Sequence, residues 1–546
     1  MVETVRCTLS IGRTLSGKVL AWGGVGLVFF PVLPGLGFML QPILSGQNWA
    51  FFWHDDQWLP AMLATLVSSV IGSLGALLLC LLVVLGLYPG TKWRRYQRKL
   101  PALLALPHVA FAAGSLLLFT STGWLVRLMT ATGLFTMARG VEGTHDPYGV
   151  GLGLTLALKE SWFLLWVAGA QLKRTDLQPQ LLVMRSLGYG RLQSSWLVLI
   201  PQLLPSLGWA IVAVLAYNIS VVDVAIILGP GNPPTLAVLS WQWLTGSTPQ
   251  IQAKGMIAAF LLIVLLAVLA LAGYLMWQGL SRCLFPHSGR RYLAACTRPL
   301  SWLAGIMTVI GLMVLLMLLV WSLAGIWFYP ALLPQGWSLT AWQTADLAPL
   351  STTLLLALAA SLCGIAIVVV WLEWGPPRGA LFLWLPLLLP ALPLVIGQYG
   401  LLLRAGVDGT FSAVVWSHLL WVIPYMLLIL APAYRQVDGR LILSARSLGL
   451  ARWQVLLYVK WPSLLRPILS AWAIGFSVSI AQYLSTLYAG AGRFATVTTE
   501  SVALSSGGDP QILAVQALLQ FFLPGMVFLI VVLSGLLVGH YRQGLR

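Results

Sequence analysis

The residues of this 546-residue chain that could support a reaction or a binding event fall into four short clusters. Residues 12–19, GRTLSGKV, have the GxxxxGK spacing in which backbone amides and a lysine cradle phosphate oxygens. Such a loop also places a Ser or Thr hydroxyl on Mg2+; here Val19 stands in that position, before an apolar run and with no strand leading in, which reads as a chance match. His54, Asp55 and Asp56 are metal-ligand types, but without further ligands nearby they read as a solvated loop. Lys159 and Glu160 lie halfway along the apolar stretch 148–171, where a charge costs roughly 2.5–3.5 kcal/mol if the stretch crosses a bilayer. On a helix these neighbours point about 100° apart and cannot neutralise each other face to face. Glu160 is therefore expected to face the interior and pair with another helix, as a structural ion pair or as part of a substrate path. No Ser/His/Asp set stands in a recognisable context, so the expectation is that the chain has no catalytic residues and no metal site.

The fourth cluster is repeated. Residues 185–204, RSLGYGRLQSSWLVLIPQLL, recur as residues 446–465, RSLGLARWQVLLYVKWPSLL, at a constant offset of 261. Ten of the twenty positions are identical, where leucine-rich composition gives about two or three by chance. The identities include Arg185, Ser186, Leu187, Gly188, Arg191 and Pro201, matched by Arg446, Ser447, Leu448, Gly449, Arg452 and Pro462. A second match, LPHVAFAAG (106–114) with LPALPLVIG (389–397), has an offset of 283, so the first half carries about 22 extra residues, most simply within 122–149. The chain thus reads as a duplication with halves 1–280 and 281–546. The equal spacing from glycine to proline in both copies predicts three things in each loop. These are a short surface helix, a small residue where another backbone can approach, and a proline in the first turn of the following helix.

The elements that must carry these clusters follow from composition. With 59% hydrophobic and 8% charged residues and a mean hydropathy of +0.89, the chain is suited to lipid. Stretches such as 19–40, 66–87, 302–321 and 515–538 are long enough to cross a hydrocarbon core as helices, and the alternation of barrel strands is absent. The expected fold is an all-α polytopic membrane protein of about 12 transmembrane helices, arranged as two parallel six-helix halves. An even number of spans per half gives both the same orientation.

The net charge of +17 is explained by where the basic residues sit. Of 31 Lys and Arg, 25 fall at the termini or in alternate loops. These include Arg6, Arg13 and Lys18; Lys92 to Lys99; Lys173 to Arg191; Arg282, Arg290, Arg291 and Arg298; Arg378; Arg435 to Arg466; and Arg542 and Arg546. Residues 47–58 and 329–343, in the opposite loops, have none, which places both termini on the cytoplasmic side of a multi-pass inner membrane protein and argues against nucleic acid as a partner. Five cysteines, Cys7, Cys80, Cys283, Cys296 and Cys363, form no CxxC pair, so neither a disulfide nor a metal site is expected.

The repeated loop resembles the EAA loop of ABC importer permeases, whose glycine, aliphatic and proline positions fall on Gly188, Val198 and Pro201 and on Gly449, Val459 and Pro462. The Glu-Ala-Ala positions are instead Leu182, Val183, Met184 and Leu443, Ser444, Ala445, and Ile200 or Trp461 precedes the proline. The acidic contact to the ATPase associated with that family is therefore not available here. Across nearly the whole chain the layout is similar to the fused permeases of thiamine, ferric-ion and related binding-protein-dependent importers. Residues 220–239 and 489–511 look most like the YnjC-type branch.

The resemblance implies a type I ABC importer permease with coupling loops at about 172–200 and 435–461. Each loop would be seated on one subunit of an ATPase dimer that holds the ATP and Mg2+, none being bound by this chain. It implies alternating access for a small, thiamine-like solute delivered by a periplasmic binding protein. The path candidates are Lys159, Glu160, Asn218 and Asp223 in the first half and Gln482 and Tyr483 in the second. His108 and His418 read as hydrogen-bonded core histidines. Two alternatives stay open: a secondary transporter with parallel repeats, which needs an ion relay within the spans, and a membrane-embedded transferase, which needs clustered acidic or His residues at one face.

Overall fold

A computed structural model describes residues 15–133, 143–174, 177–285, 289, 291, 298–376 and 382–543. Arg6, Arg13, Arg290, Arg378, Arg546, Cys7, Cys296 and part of the extra first-half segment lie outside the described residues.

Nine described helices are long and apolar enough to cross a membrane, and three bent helix pairs raise the number to twelve if each pair is one span. Spans 1 to 4 are Ser16–Leu44, Trp58–Leu87, His108–Ala131 and Val150–Lys173, and span 6 is Pro249–Ser281. Spans 7, 8, 10 and 12 are Pro299–Leu323, Ala348–Trp374, Phe411–Arg435 and Pro510–Ser534. The bent pairs are span 5 (Arg191–Ser206 with Gly208–Ser220, 60°), span 9 (Phe382–Leu388 with Ala391–Ala405, 118°) and span 11 (Arg452–Ser463 with Leu465–Ile480, 74°). Each bend has a proline close to it, Pro205, Pro390 and Pro462, whose missing N–H removes a rung of the helical ladder. Between spans 2 and 3 the helix Thr91–Leu104 carries its basic residues outward and buries Trp93, Tyr96, Leu100 and Leu103, as an interfacial amphipathic helix does.

The two halves exchange their first spans. Span 1 lies against spans 8, 9 and 10: Trp22 packs on Trp371 and Phe382, and Trp416 donates its indole N–H to the Leu27 carbonyl at 2.9 Å. Span 7 lies against spans 2 and 3 of the first half, with Leu300 against Gly86 and Val314 over Gly114, and also against span 12 of its own half. Gly35 of span 1 and Gly397 of span 9 meet backbone to backbone, with no room for a Cβ on Gly35. Small residues let membrane helices approach this closely, since lipid supplies no hydrophobic drive for their association. Gly397→Val should therefore destabilise the fold by about 1–3 kcal/mol through overpacking. Gly400→Val, on the same helix with nothing within 4 Å, should leave the detergent melting temperature unchanged.

Spans 5 and 11 are each followed by two short, largely buried helices, Asp223–Leu228 and Leu236–Leu244 in one half and Leu484–Ala489 and Val497–Ser505 in the other. The same hydrogen bond fastens the second helix of each pair. Thr65 on span 2 accepts from the Leu236 N–H at 2.7 Å, and Thr353 on span 8 accepts from the Val497 N–H at 3.0 Å. A hydrogen bond to a threonine hydroxyl satisfies a helix N-terminal amide that lipid could not.

Candidate functional site

Each repeated loop folds into the same sequence of turns. The helix Gln178–Ser186 ends at Gly188, where the Gly188 N–H bonds to the Arg185 carbonyl (2.9 Å) and the Tyr189 N–H to the Met184 carbonyl (3.1 Å). The helix Gly439–Ser447 ends alike, with Gly449 bonded to Arg446 (3.0 Å) and Leu450 to Ala445 (3.3 Å). These are Schellman caps, which require a left-handed residue after the helix, and Gly188 and Gly449 have φ of +87° and +88°. The chain itself thus sets the need for glycine: Gly449 has nothing within 4 Å, and Gly188 has only the Arg291 side chain near it.

The prolines fall in the first turn of the following helix, as expected, and that helix is entered through a wider turn. A short helix, Arg191–Ser194 or Arg452–Val455, runs straight into one turn of π-helix, Ser195–Leu199 or Leu456–Lys460, and Pro201 or Pro462 follows in the continuing helix. The wide turn absorbs the hydrogen bond that the proline cannot donate.

On both loops the buried side of the first helix is small, Leu181 in one and Ile442 and Ala445 in the other. The outward side is apolar: Leu182, Val183 and Leu187 are exposed on the first loop and Leu441, Leu443 and Leu448 on the second, Leu448 to 84%. Ser186, Arg191, Arg446, Ser447 and Arg452 are also exposed, and Arg185 is half-buried. Paired apolar patches ringed by basic residues are the composition of a docking surface for another protein.

Beneath the second loop lies a buried polar lock that the sequence reading missed. Lys460, in the π-turn, pairs with Glu373 at the end of span 8 at 2.5 Å. Tyr434 of span 10 donates to the same carboxylate oxygen, and the Lys460 ammonium lies 4.2 Å from the Tyr434 ring centroid. The first half has no such lock. At the repeat offset of 261, Lys460 corresponds to Leu199; at the offset of 288 that relates Thr65 to Thr353, Glu373 corresponds to Leu85. Both leucines are buried in one apolar cluster. A lone Glu at the inner end of an apolar run was the available signal.

In the interior, Glu160 pairs with His108 Nε2 of span 3 at 2.7 Å, so it engages another helix as expected. Lys159 is buried with its ammonium 5.8 Å from the Trp162 ring centroid and forms no ion pair among the described residues. Asn218 points away from this group and donates to Ser73 of span 2 at 3.0 Å, inside the packing of spans 2 and 5. Asp223 starts the short helix after the end of span 5, half-buried, with Oδ1 accepting from the Val224 N–H at 2.9 Å. The Tyr217 ring centroid lies 4.7 Å from that of His108. Tyr483 is buried. Gln482 spends its amide on its own turn, bonding to Val478 and Ser485. The structure thus brings Glu160 together with His108 and Tyr217, and turns Asn218 into the packing against Ser73.

His418 bonds to Ser479 and Thr486 through its two ring nitrogens, a satisfied core histidine. Asp55 is not a freely solvated loop residue: it pairs with Lys254 of span 6 at 2.5 Å. Residues from Leu15 onward in the GxxxxGK match are helical, while Gly12 and Arg13 lie outside the described residues. Among the described residues no group of three or more His, Cys, Asp or Glu could hold a metal ion.

No protein-family model matches the sequence. The chain is 46% identical over 527 residues, 96% of its own length and 98% of the relative's, to the inner membrane ABC transporter permease protein YnjC of Escherichia coli (strain K12).

Proposed function

The chain belongs to the inner membrane ABC transporter permeases, a transport subunit rather than an enzyme, and on that premise we propose that it forms the whole translocation path of an importer. In this reading the halves 1–280 and 281–546 each supply six spans, and a periplasmic binding protein delivers a small, thiamine-like solute. Both termini face the cytoplasm. The loops at about 172–200 and 435–461 seat one ATPase subunit each, with ATP and Mg2+ held on those subunits. Because both loops lie on one chain, one copy serves one ATPase dimer.

The observation that carries the proposal is the pair of identically capped helices with exposed apolar tips, Leu187 and Leu448. A permease moves by alternating access, and a motor must grip it at two matched points to rock its halves. Ions or protons crossing the spans would need no such pair. Purification in mild detergent after co-expression with the neighbouring ATPase tests the reading. The expected result is one permease chain to two ATPase subunits, and ATP-dependent solute uptake in liposomes containing the binding protein. Recovery of the chain without any ATPase, with uptake driven by a proton gradient, would overturn it in favour of a secondary transporter.

A further inference from the structure

We propose that residues 324–339, which follow span 7, form a hairpin immersed in the headgroup boundary of the bilayer, with Arg127 of the first half as the group that lets its backbone sit there.

The segment, AGIWFYPALLPQGWSL, contains no charged residue. Ile326, Phe328, Leu333, Trp337 and Leu339 are each exposed by 59% or more, a cluster of large apolar side chains that needs a cover. The cluster continues the surface of span 7, which runs into the hairpin with Leu312, Leu316 and Leu319 exposed at helical spacing. That face of the span has lipid as its solvent, so lipid is the cover that extends over the hairpin without a break. Its aromatic residues are of the types that settle at the level of the headgroups.

Irregular backbone cannot enter that layer with its polar groups bare, and here they are met from within the protein. The Gly325 N–H donates across the hairpin to the Gly336 carbonyl at 2.8 Å, and the Gln335 N–H to the Ile326 carbonyl at 3.0 Å. Gln511 of span 12 donates to the Gly325 carbonyl at 2.7 Å, and Trp124 of span 3 to the Leu332 carbonyl at 3.2 Å. Arg127 does the most. Its Nη1 donates to the Phe328 and Ala331 carbonyls at 3.0 and 2.9 Å, and its Nε to the Thr122 carbonyl at 2.9 Å. The Arg127 residue is exposed by only 3%, forms no ion pair among the described residues and has its guanidinium 4.8 Å from the Trp327 ring centroid. A loop standing in water could leave its carbonyls to solvent. Burying a cation without a carboxylate is costly, and the carbonyl dipoles and the indole face offset that cost where water is absent.

The test places single nitroxide-labelled cysteines at Phe328→Cys, Leu333→Cys and Trp337→Cys in the full chain, its five native cysteines replaced by alanine, in phosphatidylcholine and phosphatidylglycerol liposomes. Power-saturation EPR compares collisions with oxygen, which concentrates in lipid, and with nickel ethylenediaminediacetate, which stays in water. The references are Leu316→Cys on the exposed face of span 7 and Ser506→Cys in the exposed polar turn of residues 505–509, SSGGD. At the three hairpin positions the oxygen-to-nickel ratio should exceed that of Ser506→Cys several-fold and approach that of Leu316→Cys. Arg127→Met should bring the ratio back towards the Ser506→Cys value, because the freed carbonyls seek water, and Arg127→Lys should restore part of it. Ratios equal to that of Ser506→Cys in the parent chain overturn the lipid assignment. Shielding from both reagents, the sign of a second copy or another protein over the hairpin, overturns it equally. Ratios that stay lipid-like in Arg127→Met overturn the role given to Arg127.

Discussion

Aspartate at both Leu187 and Leu448 should leave the chain folded in the membrane and strip it of its ATPase. Both side chains are exposed, so no internal contact is lost and the melting temperature should stay within about a degree of the parent. A docked partner would bury them, and each leucine then contributes roughly 1.5–3 kcal/mol, with the introduced carboxylate adding a desolvation cost of several kcal/mol. For the two sites together the expected weakening exceeds about a thousandfold, read as loss of ATPase in a pull-down and of ATP hydrolysis in the purified fraction. Gly449→Ala provides the graded comparison. It forces a Cβ into the left-handed cap at a cost of about 1–2 kcal/mol, and should weaken association without abolishing it. Unchanged ATPase recovery from the double aspartate variant would mean that the motor grips elsewhere.

Lys460→Met should be the most destabilising single change beneath the second loop. It leaves the Glu373 carboxylate buried against the Tyr434 hydroxyl with no cation, and breaking a buried pair from one side costs about 3–5 kcal/mol. In a bundle of this size that should appear as a drop of several degrees in the detergent melting temperature, measured by intrinsic tryptophan fluorescence. Lys460→Leu with Glu373→Leu reproduces the chemistry of Leu199 and Leu85 in the first half, and should recover most of the loss. A double variant as unstable as the single would show that the leucine pair is not an equivalent solution at this site.

The repeated loop shows how far local information reaches. The identities from Arg185 and Arg446 onward mark two equivalent elements, and the spans were countable, because sequence identity and helix length are written residue by residue. The reason for Gly188 and Gly449 was not legible in the same way. Close approach and a left-handed cap both select glycine, and only the dihedral angles distinguish them. Glu160 was expected to seek another helix, but its partner His108 lies 52 residues away, a pairing fixed by how spans 3 and 4 rotate against each other.

Asn218 and Asp223, close in sequence and both polar, show the same boundary. The first turns into the packing against Ser73, while the second starts a separate short helix and accepts from the Val224 N–H. A break in helix direction after Ser220 separates them, and composition carries no record of it.

Composition, span length and the internal repeat by themselves determined an all-α polytopic membrane chain with two matched loops. Those properties depend on transfer of each segment into lipid and on local backbone preference. Tertiary structure alone decided that spans 1 and 7 pack against the opposite half and that Lys460 finds Glu373. In lipid every span is equally apolar, so the choice of neighbour falls to close packing at glycines such as Gly35 and Gly397 and to a few polar pairs.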